Sequence, residues 1–185
     1  MALTPSMMMP LGTQAPDFTL PDATSGSEKS LADVAGGKGT LVMFICNHCP
    51  FVQHVEKELV ALGNDFIPQG IGVVAINSND IEQYPEDGPE AMAARAKEKA
   101  YPFPYLFDDS QTVAKTYDAA CTPDFFLFDG NLSCVYRGQL DGARPGNQIP
   151  VTGSDLRAAM GALLEGTAIS SEQRPSTGCN IKWKE

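Results

Sequence analysis

The chain lacks any apolar run that approaches the roughly 18 residues needed to span a bilayer. It is also short of positive charge, with 13 Lys and Arg against 23 Asp and Glu and a net charge of -10. That balance argues against nucleic acid and membrane as partners, since an acidic protein is not drawn to phosphate surfaces. No Lys or Arg occurs from Met1 to Gly12, where Pro5 and Pro10 interrupt a short apolar run. The segment does not read as a signal peptide, and the expectation is a cytoplasmic location. Five cysteines, at 46, 49, 121, 134 and 179, are too few and odd in number for a secreted disulfide scaffold. There is no internal repeat and no low-complexity tract.

What remains is ordinary for a globular protein, 43% hydrophobic and 19% charged over 185 residues, enough for one well-filled domain. Residues 1–13 read as an extended arm, 14–165 as the domain and 166–185 as a polar tail in which the single tryptophan, Trp183, is the expected docking anchor. Thr40 to Ile45 is a continuous apolar run, the pattern of a strand buried on both faces. Val52, Val55, Leu59 and Leu62 then form one helical stripe, with Gly63 placed to cap its end. Ile71 to Ile76 and Phe103 to Phe107 read as further strands, and a helix is expected between them with Asp87 as N-cap and Glu90 completing a capping box. Ser110 to Tyr117 reads as a short helix, Asp124 to Arg137 as a hairpin, and Ser154 as the N-cap of a last helix. Strands alternating with helices predict a three-layer α/β/α domain on a central mixed sheet.

Between the first buried strand and its helix lies Cys46-Asn47-His48-Cys49-Pro50. Two thiols three positions apart on a turn can close into a disulfide and reopen with little chain movement. At a helix start the amide dipoles favour the thiolate. Half of a zinc site is the alternative, but zinc normally takes four ligands and no second C-x-x-C is present; His48, His54, Cys121 and Cys179 are the residues left to complete one. By C-x-x-C convention the attacking sulfur is Cys46, the amino-terminal thiol, and the reading leans to it, with Cys49 as the alternative. Helix geometry admits Pro50 at the first helical position behind Cys49, or at the third behind Asn47. An imidazolium at His48 would lower a thiolate pKa and make the disulfide more oxidising.

Far downstream, Cys121-Thr122-Pro123 leads directly into Asp124-Phe125-Phe126-Leu127-Phe128. Strand, C-x-x-C, helix, then Thr-Pro before a hairpin and a final helix together resemble the thioredoxin superfamily. Ala15-Pro16-Asp17-Phe18-Thr19-Leu20 and Cys49-Pro50 resemble its peroxiredoxin branch, the alkyl hydroperoxide reductase and thiol-specific antioxidant proteins. The resemblance implies that Pro123 is cis and faces the cysteine pair, and that Thr122 offers backbone hydrogen bonds to a bound thiol or peptide. It calls for no cofactor and no metal.

Departures from both patterns narrow the reading. The threonine and proline that peroxiredoxins carry three and seven residues before the peroxidatic cysteine are replaced, counting from Cys49, by Cys46 and Val42. Pro123 stands where the peroxide-stabilising arginine is expected. Against thioredoxin, the chain lacks a tryptophan before the pair and a buried aspartate in the preceding strand, and has His54 in place of the helix-kinking proline. The function expected is therefore thiol–disulfide oxidoreductase, using Cys46 and Cys49 on a protein or small-molecule disulfide and recycled by a separate reductant. A thiol-dependent peroxidase and a copper- or zinc-binding module are the alternatives. Cys121, which the fold would bring near the pair, and Cys179, on the tail, are candidate accessory thiols, with a small buried thiol and an inert thiol as the respective alternatives. Cys134 is expected in the core, and Asn77 to Asp80 and the loop with Arg137, Asp141 and Arg144 are expected near the site or beside it. The oligomeric state is open, a homodimer included.

Overall fold

The run Gly39–Phe44 is buried along its whole length and forms the centre of the sheet. A computed structural model describes residues 3–185. In chain order its first elements are β1 (Leu3–Pro5), β2 (Thr19–Pro21), β3 (Glu28–Ser30), α1 (Leu31–Val34) and β4 (Gly39–Phe44). There follow α2 (Pro50–Phe66), β5 (Ile71–Asn77), α3 (Pro89–Lys99), β6 (Tyr105–Phe107) and α4 (Thr112–Thr116). The last are β7 (Cys121–Thr122), β8 (Asp124–Asp129), β9 (Cys134–Gly138), α5 (Ser154–Glu165) and β10 (Thr177–Asn180). Among the described residues no helix is long and apolar enough to cross a membrane.

The main sheet has the order β6-β5-β4-β8-β9, with β4 parallel to β5 and antiparallel to β8. Alternate residues of β4 serve opposite cores, as the period of two requires. Leu41 and Met43 pack with Val52, Leu59 and Leu62 of α2 and Leu156 and Met160 of α5. Val42 and Phe44 pack instead with Leu31 of α1, Val113 of α4, Phe18 and Tyr117. Helices thus cover both faces of a mixed sheet, a thioredoxin-like three-layer fold.

Four local expectations change. Helix α2 runs past Gly63 to Phe66; a Cβ at Gly63 would stand 2.6 Å from Pro102 and 3.0 Å from Phe103, so that glycine serves close packing and not a cap. The N-cap of α3 is Gly88, because the Asp87 carboxylate turns inward to other donors. Ser154 is the first residue of α5, behind Gly153 at φ 65°. The most deeply buried apolar side chains of the tail are Cys179 and Ile181, each 1% exposed, while Trp183 is 38% exposed with Lys115 over its ring. Strand β10 lies between β1 and β7, which brings residues from both ends of the chain to the cysteine site.

Candidate active site

Helix α2 begins at Pro50 with Cys49 as its N-cap. Proline has no N–H to leave unsatisfied, so it fits the first helical position. The first-turn dipoles therefore act on Cys49, while Cys46 lies in the loop between β4 and α2. Both sulfurs are shielded: Cys46 is 2% exposed and Cys49 is fully buried.

The Thr122–Pro123 peptide bond is cis, and Thr122 spans the two sulfurs. Its hydroxyl lies 3.5 Å from Cys46 Sγ and its carbonyl oxygen 3.3 Å from Cys49 Sγ. A third sulfur completes the cluster: Cys179 Sγ is 2.7 Å from Cys49 Sγ, although 130 residues separate the two in sequence. Cys49 thus has thiol hydrogen-bond partners in both Cys179 and Cys46, and these outweigh burial to pull its pKa down to about 2. Cys46 moves the opposite way, pushed up by burial, by its hydrogen bond to Cys49 and by the charge of Asp87. Within the pair, the negative charge belongs on Cys49.

Beside the sulfurs sits a buried ion pair that the sequence did not reveal. Asp87, fully buried, accepts at Oδ1 from the backbone N–H groups of Asn47 (2.8 Å) and His48 (3.2 Å). At Oδ2 it meets His48 Nδ1 at 2.5 Å and accepts from Asn79 Nδ2 at 2.8 Å. Burial alone would raise the Asp87 pKa; the hydrogen bonds from His48 and Asn79 reverse this and hold it below the usual value. The same bond raises the His48 pKa against the opposing effect of burial. The ring of Tyr84 stacks on His48 at 4.8 Å, and Lys182 Nζ lies 5.6 Å from the centre of the Tyr84 ring. His48 Nε2 is buried and has no hydrogen-bond partner among the described residues.

Asn47 is held on every side: its Nδ2 donates to the Glu86 carbonyl, its Oδ1 accepts from Tyr105 Oη, and its carbonyl accepts from Gln53. It thereby shapes the loop that carries the pair. The run from Asn77 to Asp80 adjoins the site, with Asn77 Nδ2 donating to the Asp87 carbonyl and Asn79 Oδ1 accepting from Lys182 N–H. The Arg137 side chain ties β9 to the chain's two end segments, and those of Asp141 and Arg144 brace their own loop. Arg137 binds the Met9 carbonyl and Gln173, Asp141 accepts from the N–H groups of Ala143, Thr152 and Gly153, and Arg144 donates to carbonyls of its own loop. Cys121 is buried, points to the Pro123 carbonyl, and is pushed up by burial. Cys134 is a core residue of β9. His54 is exposed on α2 and belongs to no cluster of three metal-ligating groups among the described residues. A buried aspartate is present after all, on the neighbouring strand: Asp124 lies opposite Phe44, and burial pushes it up to about 7.

A five-stranded mixed sheet, paired cysteines at a helix start and a cis-proline loop against them define a thioredoxin-like thiol protein. The chain belongs to the AhpC/TSA family, whose profile matches residues 11–137. It is similar to the crystal structure of an uncharacterized conserved protein from Geobacillus kaustophilus, at 60% identity and a TM-score of 0.98 over 100% of this chain and 97% of that one. Two more distant structures share the fold at equal TM-scores of 0.64. One is the peroxidoxin BcpB from Mycobacterium tuberculosis, 18% identical over 86% of this chain and 98% of that one. The other is a thiol:disulfide interchange protein (DsbE, so titled as a putative one) from Chlorobium tepidum, 21% identical over 85% and 99%. No curated protein sequence matches the chain. Fold likeness therefore leaves peroxidase and interchange chemistry level, and the residues must decide.

Proposed function

We propose that the protein is a thiol–disulfide oxidoreductase in which Cys49 attacks and Cys46 resolves. The observation that carries this is the placement of Cys49 at the start of α2 with thiol partners in both Cys46 and Cys179. Such a sulfur is ionised at neutral pH and is also a good leaving group, which exchange chemistry needs in its two directions. In the reductive direction the Cys49 thiolate attacks a substrate disulfide and releases one substrate thiolate. Cys46 then loses its proton and attacks Cys49 Sγ, which forms the Cys46–Cys49 disulfide and frees the second substrate thiol. The substrate is oxidised again only by a different partner, and a separate reductant restores the pair. Asp87 sets the position of the loop through the Asn47 and His48 amides and holds the His48 ring through Nδ1.

Peroxidase chemistry has less support from the residues. The place three before Cys49 is a thiol, Cys46, and no arginine hydrogen bond is directed at Cys49. The reduced protein is expected to reduce glutathione disulfide stoichiometrically, one disulfide per chain. With dithiothreitol as donor, hydrogen peroxide consumption should match that of the Cys49→Ser variant. Saturable peroxide turnover that disappears in Cys49→Ser would establish the peroxidase reading instead.

One observation favours a metal-binding reading. Donor atoms of Cys46, His48 and Asp87 lie within 4.8 Å of one another, and a thiolate with an imidazole suits zinc or copper. Both Asp87 oxygens, however, already accept two hydrogen bonds each, so its carboxylate serves the loop as it stands. Metal analysis of protein purified without added metal separates the two readings.

A further inference from the structure

Beside the cis-proline the molecule fills its own edge. A short strand edge next to a reactive sulfur is where an extended peptide would add by backbone pairing. In this protein β10 takes that place, antiparallel to β7, with Cys179 opposite Thr122 and Asn180 opposite Cys121. Gly178 sets how closely the two segments approach: a Cβ there would stand 2.0 Å from the Thr122 carbonyl oxygen and 2.8 Å from its carbonyl carbon. Only glycine fits, and the next residue is the one that reaches Cys49. The pairing is reinforced on its outer side by β1, and Ser176 Oγ donates to the Pro123 carbonyl at 2.6 Å. With Cys46, Cys49 and Cys179 at 2%, 0% and 1% exposure, an outside disulfide cannot reach any of the three while this strand is seated.

We propose that β10 is a built-in occupant of the substrate edge, which presents Cys179 to Cys49 as an internal partner thiol and must lift away to admit an extended, cysteine-bearing segment of another chain. The proposal rests on the dithiol reading above. Its internal step balances without any outside oxidant. The Cys179 thiolate attacks Cys49 Sγ of the Cys46–Cys49 disulfide; the Cys49–Cys179 bond forms, the Cys46–Cys49 bond breaks, and Cys46 leaves as a thiolate that takes up the proton Cys179 released. One disulfide is thereby passed along three sulfurs, with Cys49 common to both states. The register and the glycine fit also state what a displacing segment must look like, a strand with a small residue directly before its cysteine.

The test is disulfide mapping after oxidation by glutathione disulfide, by mass spectrometry without reduction. Cys46→Ser should contain a Cys49–Cys179 crosslink, and Cys179→Ser should contain Cys46–Cys49. A Cys46→Ser protein that yields only glutathione adducts or inter-chain disulfides at Cys49 overturns the inference. Should Cys179→Ser also fail to form Cys46–Cys49, the dithiol reading falls with it; should it succeed, that reading stands alone. A second variant, Gly178→Ala, unseats the strand by clash with Thr122 and should speed alkylation of Cys49 by iodoacetamide about tenfold or more, as an opened segment does. A folded Gly178→Ala protein with an unchanged rate would remove the role of β10 as a cover. If that variant does not fold, the mapping of Cys46→Ser still decides.

Discussion

Replacing Cys49 by Ser is expected to abolish thiol–disulfide exchange, a loss of about a thousandfold or more, as deletion of a sole nucleophile does. Cys49 is the helix N-cap, and it is the sulfur whose anion Cys46 and Cys179 stabilise. Cys46 lacks the helix dipole and is pushed up by burial and by Asp87. Removing Cys46 should therefore spare the first attack and block resolution. Because Cys179 lies 2.7 Å from Cys49, it too can resolve, so the trap needs both secondary thiols removed. Intact mass after mixing with glutathione disulfide is the measurement. The double variant Cys46→Ser, Cys179→Ser should hold one glutathione, on Cys49, and Cys49→Ser should hold none on Cys46. The reverse pattern would restore Cys46 as the attacker, as the C-x-x-C convention has it.

The second large effect is structural. Asp87→Ala should cost about 3–5 kcal/mol, the range for breaking a buried ion pair, and lower the melting temperature by about 10 °C in a chain of this size. Four donors lose their acceptor at once: the Asn47 and His48 amides, His48 Nδ1 and Asn79 Nδ2. The pH dependence follows from the two shifts. Asp87 is depressed, so its contribution is present above the ordinary carboxylate value of about 3.9 and fades as pH falls through the lower folded value. His48 is raised, so its contribution is complete below about 6.5 and fades as pH rises through the higher folded value. The gap in melting temperature between wild type and Asp87→Ala should thus be widest from about pH 4 to 6.5 and narrow on either side. Thermal unfolding of both proteins from pH 3 to 9 checks it; a gap that does not vary with pH would remove the ion pair from the account.

How much of this could be read from residue order varies with the range of the interactions. β4 and α2 were legible because a continuous apolar run and a 3-4-3 stripe are patterns within one segment. The pairing of Cys46 and Cys49 with Thr122 and Pro123 was legible through resemblance, since each half sits in its own short motif. Asp87 was hidden because an aspartate three residues before a glutamate at a helix start has the spacing of a capping box; its real partners come from the loop before α2 and the end of β5. β10 was hidden for another reason. Thr177-Gly178-Cys179-Asn180 has no alternation of its own and becomes a strand only by pairing with two edges far away in sequence. Trp183 misled because tryptophan is the largest apolar side chain in the tail, whereas the register of β10 hands the burial to Cys179 and Ile181. The helix start that the proposed role of Cys49 rests on could not be read from residue order, because both starts satisfy the same proline rule.

The most direct test of the central claim is the reduction potential of the Cys46–Cys49 couple in the wild-type protein, titrated against glutathione redox buffers with both cysteines followed by alkylation and mass. The Cys49 thiolate is stabilised by two thiols and the helix start, which favours the reduced form. Cys46 and Cys49 should lose alkylation together and reversibly, with a midpoint less negative than the value of about -270 mV typical of thioredoxin. A midpoint at or below that value, or a Cys46 that stays fully alkylated across the whole titration, would contradict the account.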